Sequence, residues 1–136
     1  MLFKYFQQQL PNGQTKSLPC VLVTFKNKKN KIPVVALIDS GADFSILPIE
    51  VAGILGIKLN PKEKIEMNAA GGSTFDVYPS PQPIECIFEQ KGFRSIVLRS
   101  KVYFTGVAPT ILIGHDSLLF QLRVTLDGVR KEVKIE

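Results

Sequence analysis

Apolar and polar positions along this chain alternate in short runs, broken by clusters of Gly, Pro, Asn and Lys. That pattern predicts strands far more often than helices. Residues 2–8 predict a first strand, closed by Pro11-Asn12-Gly13, whose chemistry is that of a turn. Residues 18–25 are apolar and β-branched; the lysine-rich segment 26–31 follows, and residues 32–38 resume the apolar run. The three together predict a hairpin that delivers Asp39 at its end. Residues 48–56 read as a short helix, with Pro48 at the first helical position and Gly56 at the stop. Residues 57–59 read as a short extended piece. Residues 63–68 alternate, with Ile65 and Met67 on one face; Ala69-Ala70-Gly71-Gly72-Ser73 is small and flexible; Phe75 and Val77 restart the alternation. This is a second hairpin. Residues 83–89, 93–99 and 101–104 are three more strands, with Gln90-Lys91-Gly92 as the first turn among them. Residues 110–114 form a strand ending at Gly114, and a short helix follows, with Asp116 or Ser117 as its N-cap. Residues 122–126 and 129–135 flank Asp127-Gly128, a two-residue turn signal. The fold class expected is all-β, with one or two short helices.

With 136 residues and no internal repeat or low-complexity tract, a single domain spanning residues 1–136 is expected. The hydrophobic fraction of 45% and charged fraction of 21% are ordinary for a soluble globular protein. No apolar run approaches the ~20 residues a membrane span needs. The first residues lack the apolar region of a signal peptide, so a cytoplasmic location is expected and a membrane is not. Cys20 and Cys86 are then expected as free, buried thiols. One histidine and no CxxC argue against a zinc centre or a Ser-His-Asp or Cys-His site, so neither metal nor cofactor is expected. The formal charge of +5 is densest over Lys26-Asn27-Lys28-Lys29-Asn30-Lys31. Basic clusters neutralise phosphates, but no nucleic-acid motif accompanies this one. A solvated hairpin loop explains it, and no nucleic-acid partner is expected.

The candidate chemistry lies in Ala36-Leu37-Ile38-Asp39-Ser40-Gly41-Ala42-Asp43, followed by Ser45-Ile46-Leu47-Pro48. A buried strand that ends in a carboxylate places that carboxylate on a rigid support, which acid–base chemistry needs. An Asx-turn, with Asp39 bonding nearby backbone N–H groups, is the structural alternative. The stretch resembles the active-site segment of retroviral-type aspartic proteases, the retropepsins and their cellular relatives. The glycine-bearing hairpin over residues 63–77 and the strand Leu112-Ile113-Gly114 match that family in order. The resemblance covers roughly residues 18 to 126.

The resemblance implies a small closed β-barrel-like acid protease fold with a flap hairpin. Asp39, Ser40 and Gly41 would be the catalytic stretch. Ala42, Asp43, Ala70, Gly71, Gly72 and Ile113 would line the substrate cleft. Leu112-Ile113-Gly114 would thread beside the Asp loop and hold it. The family often has Arg after that glycine, paired with the acid of the Asp stretch. Here the residue is His115, so either a pair with Asp43 or a buried neutral histidine is open. An aspartic protease needs two carboxylates, and the chain has one Asp-Ser-Gly. A twofold homodimer would supply the second, and a peptide or protein would be the substrate. A catalytically silent protease-like domain, used for dimerisation or peptide binding, is the alternative. A small β-barrel binding RNA through its basic patch is a third reading.

Overall fold

The computed structural model describes residues 1–107, 110–115 and 117–136. The first strands are β1 (Leu2–Lys4), β2 (Phe6–Gln9), β3 (Thr15–Leu18), β4 (Cys20–Asn27), β5 (Asn30–Ile38) and β6 (Ile46–Pro48). After helix α1 (Ile49–Ile54) come β7 (Ile65–Asn68), β8 (Thr74–Pro79), β9 (Ile84–Phe88), β10 (Ile96–Ser100) and β11 (Tyr103–Thr105). The last are β12 (Leu112–Ile113), β13 (Val124–Asp127) and β14 (Glu132–Ile135). Nine strands join in the order β10-β9-β4-β5-β12-β6-β11-β8-β7 and curl into a half-barrel. Strands β1, β14 and β13 make a second sheet, and β2 pairs with β3 alone. Among the described residues no helix is long and apolar enough to cross a membrane.

Alternation builds the core. In β4, Val21, Val23 and Phe25 point inward while Leu22 faces out; in β9, Ile84, Cys86 and Phe88 point inward. Phe104, Leu47, Leu55, Val77, Val102, Ile113, Leu118 and Ile135 are also fully buried. Both thiols are free and buried. Cys86 lies opposite Phe25 on β4, whereas Cys20 begins that strand. Their separation of roughly 17 Å along a strand is far beyond disulfide reach.

Several boundaries differ from the sequence reading, each for an identifiable reason. The first strand is two, because the chain changes partner at Tyr5, whose N–H donates to Lys131 O. The second breaks at Pro19, which has no N–H but whose carbonyl accepts from Ile38 N. Pro48 is the N-cap of α1 rather than its first helical residue, because it ends β6 in an extended conformation. Residues 57–59 form no strand; Ile57 N bonds back to Ala52 O, closing the helix. The Asp127-Gly128 turn is wider than two residues, since Asp127 pairs with Glu132. Its side-chain Oδ1 accepts from Val129 N and Arg130 N, and Lys131 takes φ 56° to close the loop. A 3-10 turn at Leu119–Gln121 stands where a short helix was expected. Ser117 does not cap it, and Asp116 lies outside the described residues.

Candidate active site

Asp39 follows directly on the buried end of β5. Its N–H donates to Ile113 O at 3.0 Å, its carbonyl accepts from Ala42 N at 3.2 Å, and its Oδ1 accepts from Gly41 N at 3.0 Å. The last bond is the Asx-turn contact expected as the structural alternative. The carboxylate is half-buried, while Ser40, Gly41 and Asp43 are exposed beside it.

Strand β12 holds this loop from behind. It lies between β5 and β6, parallel to the first and antiparallel to the second, with Ile113 opposite Ile38 and Leu112 opposite Leu37 and Ile46. At Gly114 the backbones touch. A Cβ there would collide with the Phe44 carbonyl group and lie 2.9 Å from Ala42 O, so no larger residue fits without moving the Asp loop. Two serines complete the clamp. Gly114 N donates to Ser45 Oγ at 3.0 Å, Ser45 N donates to Ser117 Oγ at 2.8 Å, and the Ser117 hydroxyl donates to that of Ser45. Both side chains are buried, so these bonds have no water to replace them.

A cleft of about 620 Å³ opens above the loop. Asp39, Gly41, Ala42, Asp43 and Phe44 form its floor. Residues of β7, with Ala69 and Ala70 beyond them, form the facing wall, and Ile46, Phe75 and Leu112 add apolar surface. The β7–β8 hairpin closes through Ala69 N to Ser73 O at 2.7 Å, and Gly71 and Gly72 take φ of +90° and +86° at its exposed tip. These are conformations that side chains resist, so the glycines answer a geometric demand.

A scan of protein-family models finds no match to this chain, nor does a search of curated proteins. Solved structures do match. A retropepsin-like aspartic protease from Rickettsia conorii aligns with 100% of this chain and 98% of its own, at TM-score 0.58 and 16% identity. The EIAV protease in complex with the inhibitor HBY-793 aligns with 73% of this chain and 83% of its own, at TM-score 0.50 and 22% identity. The chain has the retropepsin fold. At these identities the likeness carries architecture, and chemistry must come from the site's own geometry.

Within the retropepsin fold, Asp39, Gly41, Ala42, Asp43 and Ala70 meet around one cleft. Ser40 is exposed at its side, and Gly71 and Gly72 stand at the hairpin tip rather than among the lining residues. Ile113 is a correction: it is fully buried, and its neighbour Leu112 lines the cleft instead. The alternation of the strand decides this, because successive side chains take opposite faces. His115 is also corrected. It is exposed, its N–H donates to Ala42 O at 2.8 Å, its ring stands edge-on to Phe120, and among the described residues it forms no ion pair with Asp43. The sequence reading missed Phe44, packed on Tyr103 at 4.6 Å between ring centroids, and Glu66 and Asn68 on the wall. Glu66 and Asn68 sit in the strand that the alternation identified; which wall that strand would form is not a local property.

Proposed function

We propose that this chain, as one domain over residues 1–136, is an aspartic endopeptidase that works as a homodimer on peptide or protein substrates. The observation that carries the reading is Asp39: a half-exposed carboxylate on a rigid strand end, at the floor of a cleft of about 620 Å³, with Ser40 and Gly41 exposed beside it. One carboxylate is half of an acid–base pair. A twofold axis past Ser40 brings a second Asp39 to the first, and two like charges in contact share one proton. The ionised member takes a proton from the water held between them, as the protonated member gives its own to the substrate carbonyl oxygen. The water oxygen bonds to the carbonyl carbon. Proton transfer to the peptide nitrogen then breaks the C–N bond, leaving a carboxylic acid and an amine.

Ser40 braces the two loops across the axis, and Ala42 and Asp43 meet the substrate backbone. The β7–β8 hairpin acts as a flap, with Ala70, Gly71 and Gly72 at its moving end, and excludes water on closing. The test is cleavage of an unfolded protein and a peptide mixture by wild type and Asp39→Asn, with sedimentation in parallel. Asn keeps the shape and cannot trade the proton, so cleavage disappears while the dimer persists. Equal cleavage by both proteins refutes the mechanism. A wild-type dimer that binds peptides and never cuts them supports a silent binding domain instead.

A further inference from the structure

The sheet of β1, β14 and β13 closes one of its edges and leaves the other open. At β1, the side-chain amide of Gln90 takes both the N–H and the carbonyl of Leu2, which blunts that edge. At the far edge lies β13, which has no second strand beside it among the described residues. Arg123 and Glu136 exchange both backbone bonds, and the register continues through Val124 with Ile135 and Leu126 with Val133. Bonded and unbonded pairs alternate along an antiparallel ladder, so the N–H and carbonyl groups of Val124 and Leu126 face outward. Leu126 is 46% exposed, and Arg123 and Thr125 are exposed beside it. The strand carries no Pro, no Lys and no bulge, the devices that discourage pairing at a free edge.

We infer that β13 pairs antiparallel with β13 of a second copy, joining the two three-stranded sheets into one across a twofold axis at Thr125. The inference rests on the homodimer of the endopeptidase reading and adds the surface that forms it. The strand is complementary to itself. With the axis at Thr125, Val124 meets the partner's Leu126, and each such pair exchanges both its N–H···O bonds. On the other face, Thr125 meets the partner's Thr125 and Arg123 meets the partner's Asp127. These are the unbonded positions, where side chains approach most closely. Thr–Thr and opposite-charge pairs stabilise such positions, and symmetry repeats the charge pair. An axis at Val124 or Leu126 would also match outward groups, but Arg123 would then face Thr125 or Val129. Asp127 keeps Oδ1 for its own turn, bonded to Val129 N and Arg130 N, and its Oδ2 lies 4.0 Å from Arg130 Nε, which leaves room for a closer cation. Leu119 N donates to Gly114 O and Leu122 N to Leu119 O, which ties the start of β13 to the glycine that abuts the Asp loop. One axis then serves both the joined sheet and the Asp39 pair.

The experiment uses Thr125→Cys, because a residue on the axis meets its own copy. Cα atoms of an unbonded antiparallel pair lie about 4.5 Å apart, within disulfide reach. With oxidised glutathione, Thr125→Cys is expected to form a covalent dimer that a reductant reverses. Arg123→Cys is expected not to cross-link, since that residue lies roughly 13 Å from its own copy. The native thiols Cys20 and Cys86 are buried and do not compete. Leu126→Pro removes one outward N–H and leaves the bonds to β14, so it is expected to weaken dimerisation about tenfold or more in sedimentation while core amides keep their exchange protection. Arg123→Glu, which sets like charges together twice, is expected to weaken it about tenfold, less so in high salt. A wild-type dimer whose Thr125→Cys variant does not cross-link, or whose Leu126→Pro variant dimerises unchanged, overturns the inference, as does a wild type that is monomeric at every concentration. A dimer cross-linked at Thr125→Cys that never cuts peptides upholds the inference while the peptidase reading fails. Asp39-dependent cleavage that survives Leu126→Pro unchanged does the reverse.

Discussion

Replacing Ser45 and Ser117 by alanine, singly and together, tests whether the buried serine pair clamps the Asp loop. Ser45→Ala removes the acceptor of Gly114 N, a buried donor. Leaving such a group unpaired costs about 1–3 kcal/mol. Ser117→Ala orphans Ser45 N in the same way, for a similar cost. Each single variant also loses the hydroxyl–hydroxyl bond, whereas the double variant loses that bond once. The two single effects should therefore sum to more than the double effect, by about 0.5–1.5 kcal/mol. Urea unfolding at fixed protein concentration measures this, with unchanged slopes confirming that only stability moved. At a slope of about 2 kcal/mol per molar, a loss of about 2 kcal/mol lowers the midpoint by about 1 M. Hydrogen exchange locates the change: Gly114 N–H should exchange faster in Ser45→Ala. Single effects below about 0.5 kcal/mol, or strict additivity, would show that the clamp is not holding the loop.

Gly114→Ala should destabilise by about 1–3 kcal/mol or more, because the new methyl group meets backbone at Phe44 rather than a side chain that can turn away; an unchanged melting temperature contradicts the close approach. Gly72→Val forces a β-branched residue into left-handed backbone at the hairpin tip, at about 1–2 kcal/mol. Under the proposed reading it slows turnover while core amides keep their exchange protection, and normal turnover argues against a flap. Cleavage by an Asp39 pair sharing one proton should be bell-shaped in pH, with its optimum on the acidic side of neutrality; a steady rise from about pH 6 to 9 points to other chemistry. Burial raises the Cys20 and Cys86 thiols above their ordinary value near 9. Both should resist thiol reagents at neutral pH. Folding favours the neutral thiols, so their contribution is full below pH 9 and fades as pH rises beyond it; a stability flat or rising across the alkaline range refutes this.

The fold was legible wherever a local pattern decides it. Asp39 could be located because an apolar run stops in Asp-Ser-Gly, and β4, β5, β7, β8 and β9 because alternation persists through them. Several of the misreadings share a physical source, which is that partners distant in the chain choose between local options. The chain breaks at Tyr5 because Lys131 O is there to receive its N–H. Ser117 looks like a helix cap by type, but Ser45, which is remote in sequence, takes its hydroxyl. Ile113 and Leu112 are equally apolar, and only the register against Ile38 and Ile46 decides which is buried and which meets the cleft.

The places where this chain departs from local rules are therefore informative. A glycine inside an apolar strand end, two hydroxyls in a hydrophobic core and two carboxylates opposed on a hairpin each weaken the local structure when taken alone. The first two are explained by packing. Gly114 admits the Asp loop against β12, and the serines satisfy the N–H groups that this close approach would otherwise orphan. They stabilise the fold by positioning Asp39. The opposed carboxylates Glu66 and Asp76 are both exposed on the hairpin, where solvent screens them and Lys64 answers Asp76. A departure that packing explains belongs to the scaffold.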